Sequence, residues 1–361
     1  MKYRLACLTV ALLASCGTVL PPAASAQDIT IRGKTFYKDG KPWLPKGIKI
    51  EAFNRPAYIS SAPKWMNDPS NLQGRKWWTE GELKAMRNVF GATVLRFAVS
   101  QPALDPESPI YDPKYLDELL RAFKQARQEG FVVIPSMDAQ DENGVMNLPC
   151  MPGDSAVRAW KTLAPHLAND PGVMFELFDE PCKWNKPETQ REWAHEMQPL
   201  IDAVRQAGAR NILLLDGLWY ARQTRGLFQI VHDPLPNRMA MAVHPYLVKG
   251  TFVTEEQWSD MFGSDAGKYP MIATEWNAVD GCVGPNLPGL ALSEIRYLQR
   301  LNIGLIAWAI DSAHGRLVKD HEHFEPIDFQ NFSGCIQGTK DHPAPLPDWG
   351  GGKLLAGYPN N

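Results

Sequence analysis

The sequence predicts an α/β fold of the (β/α)8 (TIM) barrel type, in a single domain with an N-terminal β-hairpin. Eight short apolar runs recur along the chain, and amphipathic helical patterns lie between them. Continuous apolar runs are typical of parallel strands covered by helices. A doubly wound open sheet is the main alternative, but no Gly-rich dinucleotide fingerprint follows the first strand.

The first 26 residues have the pattern of an export signal. MKYR supplies a positive end, an apolar stretch follows, and PPAASA ends in a small-residue cleavage site at Ala26. The segment around Cys16 also resembles a lipoprotein cleavage box, which is the alternative. We therefore expect residues 1–26 to be a signal peptide and residues 27–361 to form a secreted or periplasmic domain.

Composition excludes several classes of protein. Of 361 residues, 44% are hydrophobic and 21% are charged, which suits a globular protein with a full-sized core. The formal net charge is −3 and there is no basic run, so no nucleic-acid partner is expected. No sequence feature implies a protein partner, and we expect a monomer.

The predicted elements follow in order along the chain. Residues 28–41 read as a hairpin with Asp39-Gly40 as its turn. The eight apolar runs that we predict as barrel strands are 43–50, 93–99, 132–137, 173–180, 211–217, 239–246, 271–276 and 304–310.

Helix signals lie between these runs. Thr79 and Glu82 form a capping box before an apolar stripe that Gly91 ends, and Asp112-Pro113 opens the next helix. A further helical stripe consists of Trp193, Met197, Ile201 and Val204.

Polar side chains collect where the predicted strands end. In such barrels the carboxyl ends of the strands form the active site. Glu180 lies at the end of the fourth run and Glu275 near the end of the seventh, so the two carboxyl groups could flank a bound sugar from two sides. The remaining polar and aromatic residues of this rim are Arg96, Asp138, Asp179, His244, Tyr246 and Trp308.

Several motifs together resemble glycoside hydrolase family 5, the retaining barrel enzymes that include cellulases and mannanases. These motifs are KTFYKDGKPWLPKGIKI, VLRFAV, FELFDEP, HPY and PMIATEW, and the resemblance covers nearly all of residues 28–345. It implies that Glu180 is the acid/base and that Glu275 is the nucleophile. It also implies that Arg96, His244, Tyr246 and Trp308 line the sugar site, and that neither a cofactor nor a metal is required.

Two rim positions depart from the family pattern. Asp179 replaces the usual asparagine before the acid/base, and Asp138 stands where a histidine is frequent. One interpretation is a substrate that carries an amino or cationic group. The alternative, which we favour, is that the aspartates bond to Arg96 or His244 and still accept from sugar hydroxyls.

Supporting roles are expected for several neighbours of the rim. Glu176 lies deeper in its strand and is expected to pair with Arg96 or with the backbone. Trp276 and Trp308 are candidate platforms for stacking on a sugar. The tryptophans that could extend the cleft are Trp65, Trp77, Trp78, Trp184 and Trp219.

Four cysteines remain after the leader, and four cysteines allow three disulfide connectivities. Cys150 and Cys182 follow the third and fourth strands, whereas Cys282 and Cys335 follow the seventh and eighth. Because each pair joins neighbouring rim loops, we predict the disulfides 150–182 and 282–335.

The sequence therefore predicts a retaining glycoside hydrolase that acts on poly- or oligosaccharides of the β-glucan or β-mannan type by double displacement. One alternative is a non-catalytic carbohydrate-binding barrel. Another is a metal-dependent hydrolase that uses His321 and His323. Substrate preference is expected to depend on loops 52–78, 139–155 and 311–345.

Overall fold

The computed structural model describes residues 27–54, 77–138, 149–248, 250–278, 287–311, 317–320, 322–327 and 351–360. It confirms the predicted fold class, because eight parallel strands close into a barrel that is surrounded by helices and preceded by an antiparallel sheet.

The sheet before the barrel has three strands. They are β1 (Ile29–Arg32), β2 (Thr35–Lys38) and β3 (Lys41–Pro42). Asp39 and Gly40 form the predicted turn, with φ values of 53° and 75° that suit a tight hairpin. The prediction of a single hairpin was wrong in one respect: a second turn at Gly33, with φ 60°, adds a strand.

The barrel strands lie within, or end one residue beyond, the eight predicted runs. β11 pairs with β4 and closes the barrel between its last and first strands. The strands are β4 (Lys46–Ile50), β5 (Val94–Ser100), β6 (Val132–Asp138), β7 (Met174–Glu176), β8 (Ile212–Asp216), β9 (Met239–Val243), β10 (Met271–Ala273) and β11 (Gly304–Ala307).

Helices cover the outside of the barrel. Thr79 and Glu82 form the predicted capping box, and Gly91 ends that helix with a left-handed φ of 65°. Within the described ranges, none of the helices could span a membrane. They are α1 (Glu80–Phe90), α2 (Gln101–Leu104), α3 (Pro113–Gln128), α4 (Asp154–Leu167), α5 (Pro187–Gln206), α6 (Leu218–Ala221), α7 (Glu255–Trp258), α8 (Ser264–Ala266), α9 (Leu287–Leu301) and α10 (Gly352–Gly357).

The amino-terminal half of the barrel interior is apolar and is closed from below by the antiparallel sheet. Alternate strand residues, such as Val132 and Ile134, point inward and pack with Ile31 and Phe36 of the sheet. The intervening residues, such as Val133, pack outward against the helices. This plug leaves the carboxyl-terminal end of the barrel as its open mouth.

Lys46 ties the end of the chain to the first barrel strand. Its Nζ donates hydrogen bonds to the carbonyl oxygens of Ala356 (3.0 Å) and Tyr358 (2.6 Å), just within and after α10. Burial lowers the pKa of Lys46 to about 8. This lysine therefore stabilises the side of the barrel that lies away from the mouth.

Candidate active site

The upper half of the barrel interior is polar, unlike the lower half. The alternation that points Val132 and Ile134 inward continues to Ser136 and Asp138, so the same face of β6 changes from apolar to polar. The other strands follow the same pattern. The buried polar residues at this level are Lys49, Arg96, Ser136, Asp138, Glu176, Asp216, His244, Thr274 and Glu275.

Glu275 lies two residues beyond the end of β10 and is held by donors on both carboxylate oxygens. Its Oε1 accepts from Nη1 of Arg96 (2.6 Å) and from Nζ of Lys49. Its Oε2 accepts from the hydroxyl of Tyr246 at 3.0 Å. Burial favours a higher pKa, but the charges of Lys49, His244 and Arg96 outweigh it and hold the pKa of Glu275 well below its usual range.

Glu180 reaches the mouth because the chain leaves β7 after Glu176. Its φ is 55°, in the left-handed region, and its backbone N–H donates to Oδ2 of Asp216 at 2.9 Å. Oε1 of Glu180 lies 2.9 Å from Nδ1 of His244. Burial raises the pKa of Glu180, and the charges of Glu275 and Asp179 add to this against the opposing effect of His244.

The two glutamates are brought together over His244. A carboxylate oxygen of Glu180, a ring nitrogen of His244 and a carboxylate oxygen of Glu275 all lie within 4.8 Å of one another. The pKa of one glutamate is raised and that of the other is lowered. Such a pair can supply one proton donor and one ionised carboxylate at the same pH.

Arg96 is the centre of the charge network below the glutamates. It is fully buried, and its Nη2 donates to Oε1 of Glu176 (3.0 Å), to Oγ of Ser136 (2.7 Å) and to Oδ1 of Asp179. Arg96 holds the pKa of the buried Glu176 below its usual range against the effect of burial. Glu176 thus pairs with Arg96 as expected, and Asp179 is bonded to a protein cation.

Asp138 lies at the end of β6, across from Lys49. Its Oδ2 is 3.9 Å from Nζ of Lys49, and its buried Oδ1 has no hydrogen-bond partner among the described residues. Burial and the charge of Asp179 raise the pKa of Asp138 well above its usual range. Asp138 is therefore a buried carboxyl beside Lys49, and its contact with substrate stays a prediction.

His244 is placed behind Glu180 rather than on the open surface of the cleft. The side chain is fully buried, and its Nε2 lies 3.1 Å from Oγ1 of Thr274. With Nδ1 on Glu180, both ring nitrogens have protein partners. The surrounding carboxylates raise the pKa of His244 despite its burial. The contact with Glu180 was not predicted, and a contact of His244 with substrate stays a prediction.

The two tryptophans predicted to stack on a sugar, Trp308 and Trp276, differ in burial. Trp308 is half-buried, and its indole N–H donates to Oε1 of Glu51. The prediction that Trp276 is a platform for a sugar is wrong, because Trp276 is fully buried and its indole N–H donates to Glu294.

The tryptophans that could extend the cleft differ in exposure. Trp184 is 41% exposed, and its ring centroid lies 4.2 Å from that of Trp219. Among the other candidates, Trp77 is 38% exposed, Trp78 is buried, and Trp65 lies outside the described residues.

Sequence reasoning missed Lys49, Glu51 and Asp216. Lys49 contacts Glu275 and lies 2.8 Å from Glu51, whereas Asp216 accepts from the backbone of Glu180. Strand parity could have found Lys49, because a period of two places it on the inward face of β4, opposite to Ile48 and Ile50.

Among the residues that the structure describes, two groups of side chains are close enough to chelate a metal ion. One is Glu180, His244 and Glu275, and the other is Glu176, Asp179, Asp216 and His244. In the second group, Glu176 and Asp179 already bond the guanidinium of Arg96, which supplies the positive charge there. A metal would have to displace that guanidinium, so this second group fits a metal poorly.

The predicted disulfide between Cys150 and Cys182 is confirmed, with a Cα–Cα distance of 4.9 Å. The backbone N–H of Cys182 also donates to the carbonyl of Cys150 at 2.8 Å. This link fixes the segment two residues after Glu180. Cys282 and Cys335 lie outside the described residues, and their pairing stays a prediction, as does the metal alternative at His321.

Replacing Cys150 and Cys182 together with serine is expected to lower the free energy of unfolding by about 3–4 kcal/mol, because the disulfide closes a long loop in the unfolded chain. Denaturant unfolding of the oxidised protein and of the variant measures the difference. In the mature wild-type protein, mass spectrometry should count no free thiols before reduction and four after it. Four free thiols in protein made in an oxidising compartment would contradict both pairs.

A family model identifies the family of this chain, and solved structures of low sequence identity share its fold. The family model for cellulase (glycosyl hydrolase family 5) matches residues 50–314. A β-glucanase from Saccharophagus degradans superposes with a TM-score of 0.60 at 19% identity and covers 86% of this chain and 94% of its own. No curated protein matches this chain significantly.

Two further solved structures have the same fold. The catalytic domain of an endoglucanase from Thermobifida fusca, in complex with cellotetraose, has a TM-score of 0.59 and 14% identity, with 92% of this chain and 96% of that chain covered. A mannanase catalytic domain from Streptomyces sp. SirexAA-E has a TM-score of 0.55 and 16% identity, with 83% and 85% covered.

Proposed function

The chain belongs to glycosyl hydrolase family 5 and is a glycoside hydrolase, and from that premise we propose that it cleaves a neutral β-linked glycan with retention of configuration. The observation that carries the proposal is the approach of Glu180 and Glu275, whose carboxylate oxygens lie within 4.8 Å. Retaining enzymes keep their two carboxyl groups about 5 Å apart, whereas inverting enzymes need about 6.5–9.5 Å to admit a water molecule.

The proposed reaction has two displacements. In the first, an oxygen of Glu275 attacks the anomeric carbon, the glycosidic C–O bond breaks, and Glu180 gives its proton to the departing oxygen. In the second, Glu180 takes a proton from water, the water oxygen bonds the anomeric carbon, and Glu275 leaves as carboxylate. The opposite pKa shifts of the two glutamates support this division of roles.

A neutral sugar is supported by the protein cations beside the two unusual aspartates. Asp179 bonds to Arg96, and Asp138 lies 3.9 Å from Lys49. An ammonium group on the substrate would compete with these cations for the same carboxylates and would be repelled by them. The β-glucan and β-mannan classes fit this site, and Trp184 with Trp219 offers an aromatic wall on the Glu180 side.

We also propose that the enzyme acts outside the cytoplasm. The disulfide between Cys150 and Cys182 supports an oxidising compartment, because such bonds are rare where thiols are kept reduced. The leader at residues 1–26 lies outside the described residues. Amino-terminal sequencing of the mature protein tests the proposal, which predicts a first residue of Gln27.

Hydrolysis of soluble β-glucan and β-mannan oligosaccharides is expected to release the β-anomer first, since two inversions restore the starting configuration. Proton NMR of the first turnovers measures the anomer before mutarotation. The matched β-linked glucosamine oligosaccharides serve as a comparison and should be cleaved at least about 10-fold more slowly. Initial release of the α-anomer would exclude retention, and a preference for glucosamine would favour the cationic-sugar alternative.

A further inference from the structure

Lys49 is a buried cation at the mouth of the barrel. It is 3% exposed and points inward from β4, three residues after Lys46, which lies at the opposite end of the strand. Its Nζ contacts Glu275, lies 2.8 Å from Oε1 of Glu51, and lies 3.9 Å from Oδ2 of Asp138. A buried ammonium is costly unless it is paired, and this one is surrounded by carboxylates.

The two oxygens of Glu275 have different partners. Oε1 accepts from two cations, Lys49 and Arg96, whereas Oε2 accepts from the hydroxyl of Tyr246 and lies 3.8 Å from Nδ1 of His244. Rotation of the carboxylate would exchange these oxygens and break two charge-assisted bonds, which are the strong ones. Oε1 is therefore fixed in the protein, and Oε2 is the oxygen left to approach a sugar.

Arg96 cannot supply this restraint by itself. Its guanidinium is shared among Glu176, Asp179 and Glu275, so one positive charge faces three carboxylates. An aspartate rather than a neutral amide at position 179 increases that demand. Lys49 brings a second positive charge to Glu275, one of the three carboxylates that share Arg96.

We propose that Lys49 is a positioning residue for the displacement step: together with Arg96 it fixes Oε1 of Glu275, so that Oε2 faces the anomeric carbon. The inference rests on the proposed function, in which Glu275 is the nucleophile. It also assigns a reason for tolerating the unusual Asp179, since Lys49 adds a positive charge where Arg96 is shared between Asp179 and Glu275.

The charges around Glu275 set the expected pH dependence. Burial favours a higher pKa for Glu275. Among the positive charges that lower this pKa, Lys49 has the largest effect, followed by His244 and Arg96. The titratable groups around Glu275 come from five strands and the residues that follow them: Lys49 and Glu51 (β4), Arg96 (β5), Asp138 (β6), Asp179 and Glu180 (β7), and His244 and Tyr246 (β9). Loss of the Lys49 charge therefore raises the pKa of Glu275.

Lys49→Met is expected to move the acidic limb of the kcat/KM profile on an aryl β-cellobioside upward by about one to three pH units. It should also lower kcat about 100-fold through misorientation of the nucleophile. Lys49→Arg keeps the charge and should keep the limb near its original position. An unchanged limb in folded Lys49→Met would overturn the inference.

Lys46→Met is the matched control, because it removes a buried lysine from the same strand at the end away from the mouth. It should lower thermal stability and leave the pH profile unchanged; an equal shift of the limb would mean that Lys49 acts only through stability. If Lys49→Met does not fold, Lys49→Met combined with Asp138→Asn removes a cation and a partner together. The acidic limb of this double variant is compared with that of Asp138→Asn alone, and the difference measures the effect of removing Lys49.

A trapping experiment separates this inference from the proposed function. A dinitrophenyl 2-deoxy-2-fluoro-β-cellobioside should label the wild-type enzyme, and peptide mapping should place the label on Glu275. Lys49→Met should be labelled on the same residue about 100-fold more slowly. Equal labelling rates would defeat the role of Lys49 while leaving Glu275 as nucleophile. A label elsewhere in the wild type would defeat the nucleophile assignment itself.

Discussion

Glu275→Ala is expected to lower turnover by roughly 10⁴-fold or more, the scale seen when a covalent nucleophile is removed from other enzymes. The variant keeps the general acid but lacks the carboxylate that forms the glycosyl-enzyme. Initial rates on an aryl β-cellobioside, measured at the optimum of the parent enzyme, give the loss. Near-normal activity would show that Glu275 is not the nucleophile.

External azide distinguishes a missing nucleophile from a damaged fold. The cavity left by Glu275→Ala lets azide attack the anomeric carbon directly, so the product should be the α-glycosyl azide, formed by one inversion. Glu294→Gln is the control: Glu294 is a buried carboxylate on α9 that bonds Trp276, next to Glu275 in the chain. It should retain activity and show no response to azide.

The barrel could be predicted from sequence because its strands are buried on both faces. Such strands appear as continuous apolar runs, and the helix signals between them are local, as at Thr79 and Glu82. The extra turn at Gly33 was missed because Asp39-Gly40 is the stronger turn signal, although the buried side chains change from odd positions (Ile29, Ile31) to an even one (Phe36) across Gly33. Exact strand ends were also missed: β7 stops at Glu176, although Leu177 and Asp179 still donate single backbone bonds to Leu214 of β8 and Met137 of β6.

The site was predictable in its motifs but less so in its network. Glu180 and Glu275 lie at or near the ends of apolar runs, so both could be placed at the mouth. The partners of Arg96 and Lys49 depend on which side chains of different strands meet. A single sequence does not give the distances between those side chains. Trp276 illustrates the same point, because its burial against Glu294 follows from the packing of α9.

The position of Asp179 beside Glu180 also required the structure. Consecutive residues of a regular strand point to opposite faces, so both cannot face a sugar from one strand. The chain solves this by leaving β7 after Glu176 and adopting a φ of 55° at Glu180. Asp216 secures that conformation by accepting the Glu180 N–H. Strain of this kind is frequent at functional sites.

Glu180→Ala is expected to reduce hydrolysis of unactivated oligosaccharides by about 10²- to 10⁴-fold, the usual contribution of a general acid. A dinitrophenolate leaving group needs no protonation, so formation of the glycosyl-enzyme from a dinitrophenyl β-cellobioside should be nearly unaffected. The intermediate then accumulates because water lacks its base. Azide should relieve this and yield the β-glycosyl azide, the opposite anomer to that from Glu275→Ala.

The pH profile gives the second measurement for Glu180. Because burial raises its pKa, the acid stays protonated above the usual range of a glutamate, and activity falls as the pH rises through that value. Glu180→Ala should therefore lose the basic limb of kcat/KM and keep the acidic limb that reports Glu275. Glu192→Ala, which removes a half-buried partner of Lys183 from α5, should keep both limbs. A basic limb that survives in Glu180→Ala would assign the proton donor to another group, and His244 would be the first to test, since it contacts the same carboxylate.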